Sequence, residues 1–239
     1  LTSKADNIQR SRAGRFRLQN TIRSTPLTAT PITPLIIHAQ QLGKRFNREW
    51  IFRGLSLPFE SDKTYAIVGP NGSGKSTLLQ ILWGQMPPSS GTVTYKKNGK
   101  DIESDAVYQY VSIATPYMDL VDEFRLSEQF RFHFTLRKSR NGLSVEQLLK
   151  EISMADIGHK YIGNLSSGMK QRVKLALALF TEADAIFLDE PGTNLDEKAF
   201  GWYVRQLSKI PSQCLVFIAS NQSREYPSDA VIVDITSFK

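Results

Sequence analysis

One cysteine in 239 residues, Cys214, leaves no partner for an intrachain disulfide, and a lone thiol suits a reducing compartment. It stands at the start of the apolar stretch Leu215-Val216-Phe217-Ile218, where it reads as a small buried hydrophobe. Histidine is scarce too: His38, His133 and His159 fall on separate segments, and none has metal-ligand spacing. No apolar run approaches the roughly 20 residues that a membrane-spanning helix needs, so work at a membrane would have to borrow its spanning part from another chain. No internal repeat is visible. Acids are missing from one end, where residues 1–34 hold Lys4, Arg10, Arg12, Arg15, Arg17 and Arg23 against Asp6 alone, +5 of the formal +7. The other 24 basic and 22 acidic residues nearly cancel, so net charge is no argument for nucleic-acid affinity in the rest of the chain, and no specific nucleic-acid partner is expected. With Pro26, Pro31, Pro34 and many Ser and Thr, the basic stretch 1–34 has the composition of a disordered or extraneous tail. A targeting peptide, or an arm for a membrane surface or nucleic acid, is the alternative.

What is present is concentrated first in Gly69-Pro70-Asn71-Gly72-Ser73-Gly74-Lys75-Ser76-Thr77, which fits the pattern G-x-x-x-x-G-K-[ST]. It follows the apolar run Tyr65-Ala66-Ile67-Val68 and opens the helix-like stretch Leu78–Trp83, the strand–loop–helix context that a phosphate-binding loop requires. Glycines let the backbone approach an anion so that successive N–H groups converge at a helix N-terminus. In such a loop Lys75 reaches the β- and γ-phosphates of a nucleotide and the Ser76 hydroxyl is placed to ligate Mg²⁺. About a hundred residues on, Ala185-Ile186-Phe187-Leu188-Asp189-Glu190 reads as a buried parallel strand delivering two acids to its C-terminal end, the edge at which open α/β sheets bind ligands. Asp189 is the second expected Mg²⁺ anchor, and Glu190 the expected base that orients water.

Between these lies Leu165-Ser166-Ser167-Gly168-Met169, followed by the helical run Val173–Leu179. Here the chain resembles the ATP-binding cassette ATPases, the nucleotide-binding subunits of ABC transporters, whose signature L-S-G-G-Q precedes a helix. The resemblance covers roughly residues 35 to 235. It implies an α/β fold with a P-loop NTPase core of ABC type, a helical subdomain at about 116–164 and an antiparallel β portion, so that 35–239 form one ATPase domain. It implies ATP and Mg²⁺ as ligands, ATP hydrolysis, and a head-to-tail homodimer or heterodimer in which Ser166, Ser167 and Gly168 of one chain meet the nucleotide on the other's P-loop. A separate transmembrane permease subunit is the implied partner, and the cytoplasmic face of the membrane the implied location; a soluble or regulatory ATPase of this type, with weak hydrolysis and no transport role, is the alternative. Phe46 matches the aromatic that stacks on adenine, with Trp50 as the competing ring. Asp196, in Pro191-Gly192-Thr193-Asn194-Leu195-Asp196, matches a residue of the subunit interface, and its simpler role is to cap the helix beginning near Glu197. Two positions depart from the family: no Gln stands at Thr115-Pro116-Tyr117, and Asn221 occupies the place of a His that bonds the γ-phosphate. Asn donates a neutral hydrogen bond but carries no charge, so Asn221 is expected to leave binding intact and slow hydrolysis.

Elsewhere the pattern predicts strands at Ile36–Gln40, Ile51–Leu57, Thr64–Val68, Thr92–Tyr95, Tyr110–Ala114, Ala185–Asp189, Leu215–Ala219 and Val231–Ile235. Pro87–Gly91 reads as a turn. Helices are predicted over Leu126–Arg137 and Ser144–Ile152, the second opened by a Ser144/Gln147 capping box.

Overall fold

The computed structural model describes residues 34–239; the expectations for the basic stretch therefore fall, Pro34 apart, outside the described residues. Two sheets organise the chain. Strands β1 (Ile36–Phe46), β2 (Glu49–Phe59), β4 (Ser90–Lys97) and β5 (Lys100–Ile102) form an antiparallel sheet in the order β2-β1-β4-β5. Strands β3 (Thr64–Val68), β6 (Val111–Ala114), β7 (Ala185–Asp189), β8 (Leu215–Ala219) and β9 (Val231–Asp234) form an all-parallel sheet in the order β6-β7-β8-β3-β9. Parallel neighbours need long crossovers. These contain helices α1 (Lys75–Leu82), α4 (Ser167–Leu179) and α5 (Glu197–Leu207), while α2 (Leu126–Leu136) and α3 (Val145–Glu151) occupy the segment between β6 and α4.

Every residue of β7 and β8 is buried, as expected for strands covered on both faces. Their side chains alternate between two cores. Ile186, Leu188, Val216 and Ile218 join α2, α3, α4 and α5 in one apolar cluster. Ala185, Phe187, Leu215, Phe217 and Ala219 join α1 and the antiparallel sheet in the other. Phe187 and Phe217 are direct register partners, and their rings stack with centroids 4.6 Å apart.

Helix starts follow their caps. The Ser144 hydroxyl accepts from the Gln147 N–H at 3.3 Å and the Gln147 side chain accepts from the Ser144 N–H at 2.8 Å, closing the predicted capping box. Asp196 accepts from the Ala199 N–H at 2.7 Å and starts α5.

Several boundaries differ from expectation. Strand β1 continues to Phe46 because it pairs with β2 on one side and β4 on the other through an irregular register near Gly43. Ser90 and Gly91 belong to β4 instead of a turn, for Gly91 passes so close to the Gln40 and Gln41 carbonyls that a Cβ would not fit. The hairpin at Asn98-Gly99 that adds β5 was not predicted, although Asn-Gly is a strong two-residue turn signal. Tyr110 leaves β6 to close a short 3₁₀ turn over Val107–Gln109. At the far end, β9 stops at Asp234, whose carboxylate accepts the Thr236 N–H at 2.9 Å and begins another such turn.

Candidate active site

The order of the parallel sheet places β8 between β7 and β3, so the C-terminal ends of three adjacent strands carry the residues singled out by sequence. Gly69–Thr77 follows β3, Asp189 and Glu190 end β7, and Ser220 and Asn221 follow β8. Backbone bonds tie these ends together: the Glu190 N–H donates to Ala219 O at 2.9 Å, and the Ser220 N–H to Ile67 O at 3.1 Å.

The loop after β3 is folded tightly. The Ser73 N–H donates to Pro70 O at 3.1 Å, and Gly74, with φ 107°, caps α1 in a left-handed conformation. A side chain at Gly74 would also collide with Ile51 of β2, so the antiparallel sheet sets the room available to this loop. Gly72, by contrast, faces open space, with no other atom within 4 Å of where a Cβ would stand. Lys75 is buried, and its ammonium donates to Gly69 O at 3.0 Å and Pro70 O at 3.3 Å. The charge thus lies folded across the loop that it would have to serve.

Asp189 is 2% exposed, and its Oδ1 has no hydrogen-bond partner within the protein. Burial pushes its carboxyl above the usual carboxylate range; the Ser76 hydroxyl opposes this, Glu190 adds to it and the Lys75 ammonium opposes it. Glu190 takes φ 47°, rare for a residue with a side chain, and its carbonyl accepts the Thr193 N–H at 3.2 Å. The chain thereby turns off the sheet at the acid pair. Asn221 is exposed, and its amide Nδ2 donates to the Asn71 Oδ1 at 3.2 Å across 150 residues of sequence. That bond brings Asn221 to the rim of the P-loop.

Ser166, Ser167 and Gly168 lie elsewhere. The Ser166 hydroxyl caps α4, accepting from the Met169 N–H at 3.3 Å. Gly168 packs against the Asn194 carbonyl, and the Gln171 side chain donates to Pro191 O at 3.1 Å. Among the described residues no hydrogen bond or ion pair joins this segment to the P-loop, though both it and Glu190 adjoin the Pro191–Asp196 loop. Phe46 ends β1 and is 47% exposed, with the Lys44 ammonium 5.4 Å from its ring centroid. Trp50, the alternative, is half-buried between Arg45 and Arg53. At the position without Gln, Pro116 O accepts from the Lys174 ammonium at 2.8 Å and Tyr117 is exposed.

A cleft of about 620 Å³ is lined by Lys97, Tyr110, Arg137, Asp184 and Cys214 among others. It lies at the N-terminal ends of β6, β7 and β8 and includes none of the residues above, so cavity size does not locate this site.

The family model for ABC transporter matches residues 52–193. The chain is 33% identical over 180 residues to the high-affinity zinc uptake system ATP-binding protein ZnuC of Bacillus subtilis, covering 71% of this chain and 77% of that protein. The chain belongs to the ABC transporter ATP-binding family. It is thus an ATP-binding, ATP-hydrolysing cassette, and subunits of this kind generally pair with permeases. A second relative, the Nod factor export ATP-binding protein I of Burkholderia lata, is 32% identical over 174 residues, covering 71% of this chain and 56% of that protein. The cassette also shares its fold with an ABC transporter ATP-binding protein from Pyrococcus furiosus, at TM-score 0.71 and 20% identity over 85% of this chain and 98% of that one. No helix among the described residues is long and apolar enough to cross a membrane.

Two features of the site escaped sequence reasoning. Asn71 is expected among the nucleotide-binding residues of the loop Gly69–Thr77, but nothing in the sequence links it to Asn221. Glu225, 1% exposed behind the Pro191-Gly192 turn, sits in a 3₁₀ turn where no periodic pattern marks a residue as buried.

Proposed function

We propose that this cassette powers a transporter by closing on ATP as a dimer and reopening after hydrolysis. Gly69 to Thr77 wrap the phosphates with backbone N–H groups, and Lys75 exchanges its two carbonyl partners for phosphate oxygens. That exchange replaces neutral acceptors by anionic ones, and charge-assisted bonds are roughly twice as strong as neutral ones. Ser76 and Asp189 hold Mg²⁺. The observation that carries this is the Asp189 Oδ1, a buried acceptor without a protein partner, in a carboxyl on which the Ser76 hydroxyl and the Lys75 ammonium both act. An unsatisfied buried oxygen costs about 1–3 kcal/mol, and a cation there would satisfy it. When bound, the metal neutralises charge that builds on the transferred phosphoryl group.

Glu190 accepts the proton of the attacking water or orients it. Asn221 stands at the phosphate end of the cradle as a neutral donor, so it orients the γ-phosphate without contributing charge. Phe46 is the exposed ring of the pair Phe46 and Trp50, and it offers its face to adenine. Ser166, Ser167 and Gly168 present the N-terminus of α4 to the nucleotide of a facing cassette, in keeping with their separation from their own P-loop. Whether the facing cassette is a second copy or a related chain, Asp196 lies at the same edge. Helices α2 and α3 form the surface offered to a transmembrane permease, which would hold the cassette at the cytoplasmic face of the membrane. No nucleic acid enters this scheme.

Lys75→Ala should abolish turnover, and Glu190→Gln should retain nucleotide binding while slowing hydrolysis by roughly 10²–10⁴-fold and accumulating an ATP-bound dimer. Steady-state ATPase rates and light scattering with saturating Mg-ATP check both. Unchanged turnover in Lys75→Ala would remove the P-loop from the chemistry.

A further inference from the structure

The loops that carry Glu190 and Asn221 meet at a buried acid used by none of the roles above. Glu225 lies in the turn Ser223–Glu225 after β8 and is 1% exposed. Its backbone carbonyl accepts the hydroxyl of the fully buried Tyr203 on α5 at 2.7 Å, which anchors the turn from behind. Its carboxyl presses against Gly192, two residues beyond Glu190, so closely that a Cβ on that glycine would collide with it. One carboxyl oxygen, Oε2, is buried without a partner. Burial pushes this carboxyl above the usual range, while the Ser220 hydroxyl and the Gly192 N–H pull it back, Glu190 adds to the rise and Arg224 opposes it. The groups acting on the acid thus come from both loops. Ser220 immediately precedes Asn221, and Gly192 follows Glu190 by one turn.

We infer that Glu225 is a positioning residue for hydrolysis: its buried carboxyl wedges the Glu190–Thr193 turn against the Ser223–Glu225 turn that follows Asn221, and so fixes where the Glu190 carboxylate stands relative to the P-loop. This rests on the role proposed above for Glu190. Glu190 has a left-handed backbone and only two backbone bonds, to Ala219 O and from Thr193 N, to hold its turn. A side chain wedged against Gly192 supplies the remaining constraint. Releasing it lets the Glu190 turn drift while β3 and α1 still hold the phosphate cradle.

The test uses the full chain, with single-turnover ATP hydrolysis and fluorescent-nucleotide titration. Glu225→Ala should lower the hydrolysis rate by on the order of 10²-fold, the scale expected when a reacting group is displaced by about 1 Å, with nucleotide affinity changed less than about threefold. Glu225→Gln should retain the rate within about threefold, because it keeps the bulk that presses against Gly192 and a neutral amide tolerates burial. In a Glu190→Gln background the Glu225→Ala effect should vanish, since residues that act through one another are not additive. If Glu225→Ala fails to fold by circular dichroism, Tyr203→Phe, which removes the donor to the Glu225 carbonyl and keeps the ring, should show a smaller fall with the same dependence on Glu190. An equal fall in both backgrounds, or a fall in nucleotide affinity of matching size, would overturn the positioning role. If Glu190→Gln alone leaves hydrolysis intact, the base assignment itself is wrong and the clamp falls with it.

Discussion

Acidification should destabilise this cassette through one partly buried histidine. The His133 Nε2 on α2 lies 2.8 Å from the Thr181 hydroxyl oxygen, and that hydroxyl already donates its proton to Leu177 O at 2.6 Å. The Thr181 oxygen can therefore only accept, which puts the proton on His133 Nε2 and leaves Nδ1 bare in the neutral ring. Protonating Nδ1 would place a charge among buried groups and near Arg137, whose guanidinium is committed to the Val111, Tyr108 and Gln109 carbonyls. Burial first, and Arg137 second, push the imidazole from 6.5 down to about 4. The folded protein thus binds this proton less well than the unfolded chain does. Stability from this residue is fully present above pH 6.5 and is lost as the pH falls towards 4. Linkage with those two values gives a loss of about 2 kcal/mol between pH 7.5 and pH 5, and about 3 kcal/mol by pH 4. The assay is urea unfolding followed by intrinsic tryptophan fluorescence at each pH, for the wild-type chain and for His133→Gln, whose amide can still donate to Thr181 but does not titrate. The difference between the two proteins should shift by about 2 kcal/mol across that window. Parallel losses of stability would show that His133 is not the group responsible.

Asn221→Ala should lower the steady-state ATPase rate per folded molecule, since it removes both the tie to Asn71 and the donor at the phosphate end, whereas Asn221→His should hold or raise it by restoring a group that can carry charge; equal rates for all three would exclude Asn221 from the chemistry. Phe217→Ala, which empties a fully buried site stacked between Phe187 on one side and Phe59 and Tyr65 on the other, should cost about 3–5 kcal/mol in equilibrium unfolding, and a cost below about 1 kcal/mol would contradict the continuous core described for that face of the sheet.

The phosphate loop, the acid pair and the central strands were legible in sequence because each is a local pattern. Glycines at fixed spacing before Lys75 and Ser76, a short apolar run ending in Asp189 and Glu190, and Ser before a helical repeat all express backbone geometry within a few residues. The capping box at Ser144 and the cap at Asp196 were legible for the same reason. Strand lengths in the antiparallel sheet were less so, since the reach of β1 depends on pairing with β2 and β4, and a half-exposed, irregular strand shows no clean alternation.

Relative placement was decided only by the tertiary structure. No sequence pattern states that β8 lies between β7 and β3, and it is this order that sets Asp189, Glu190 and Asn221 around one loop. Long-range ties such as Asn221 to Asn71 and Glu225 against Gly192 join residues 150 and 33 positions apart, so nothing in the neighbourhood of either partner announces the other. The burial of Glu225 and the partial burial of His133 belong to the same class. A titratable side chain in a turn or on a mixed helix face carries no periodic mark of being inside, and its protonation follows from which elements close over it. Local spacing was enough to identify the chemistry available to this chain, because phosphate and metal recognition depend on groups a few residues apart. How that chemistry is held and tuned came from packing between distant segments, whose energetics appear only once the sheets have formed.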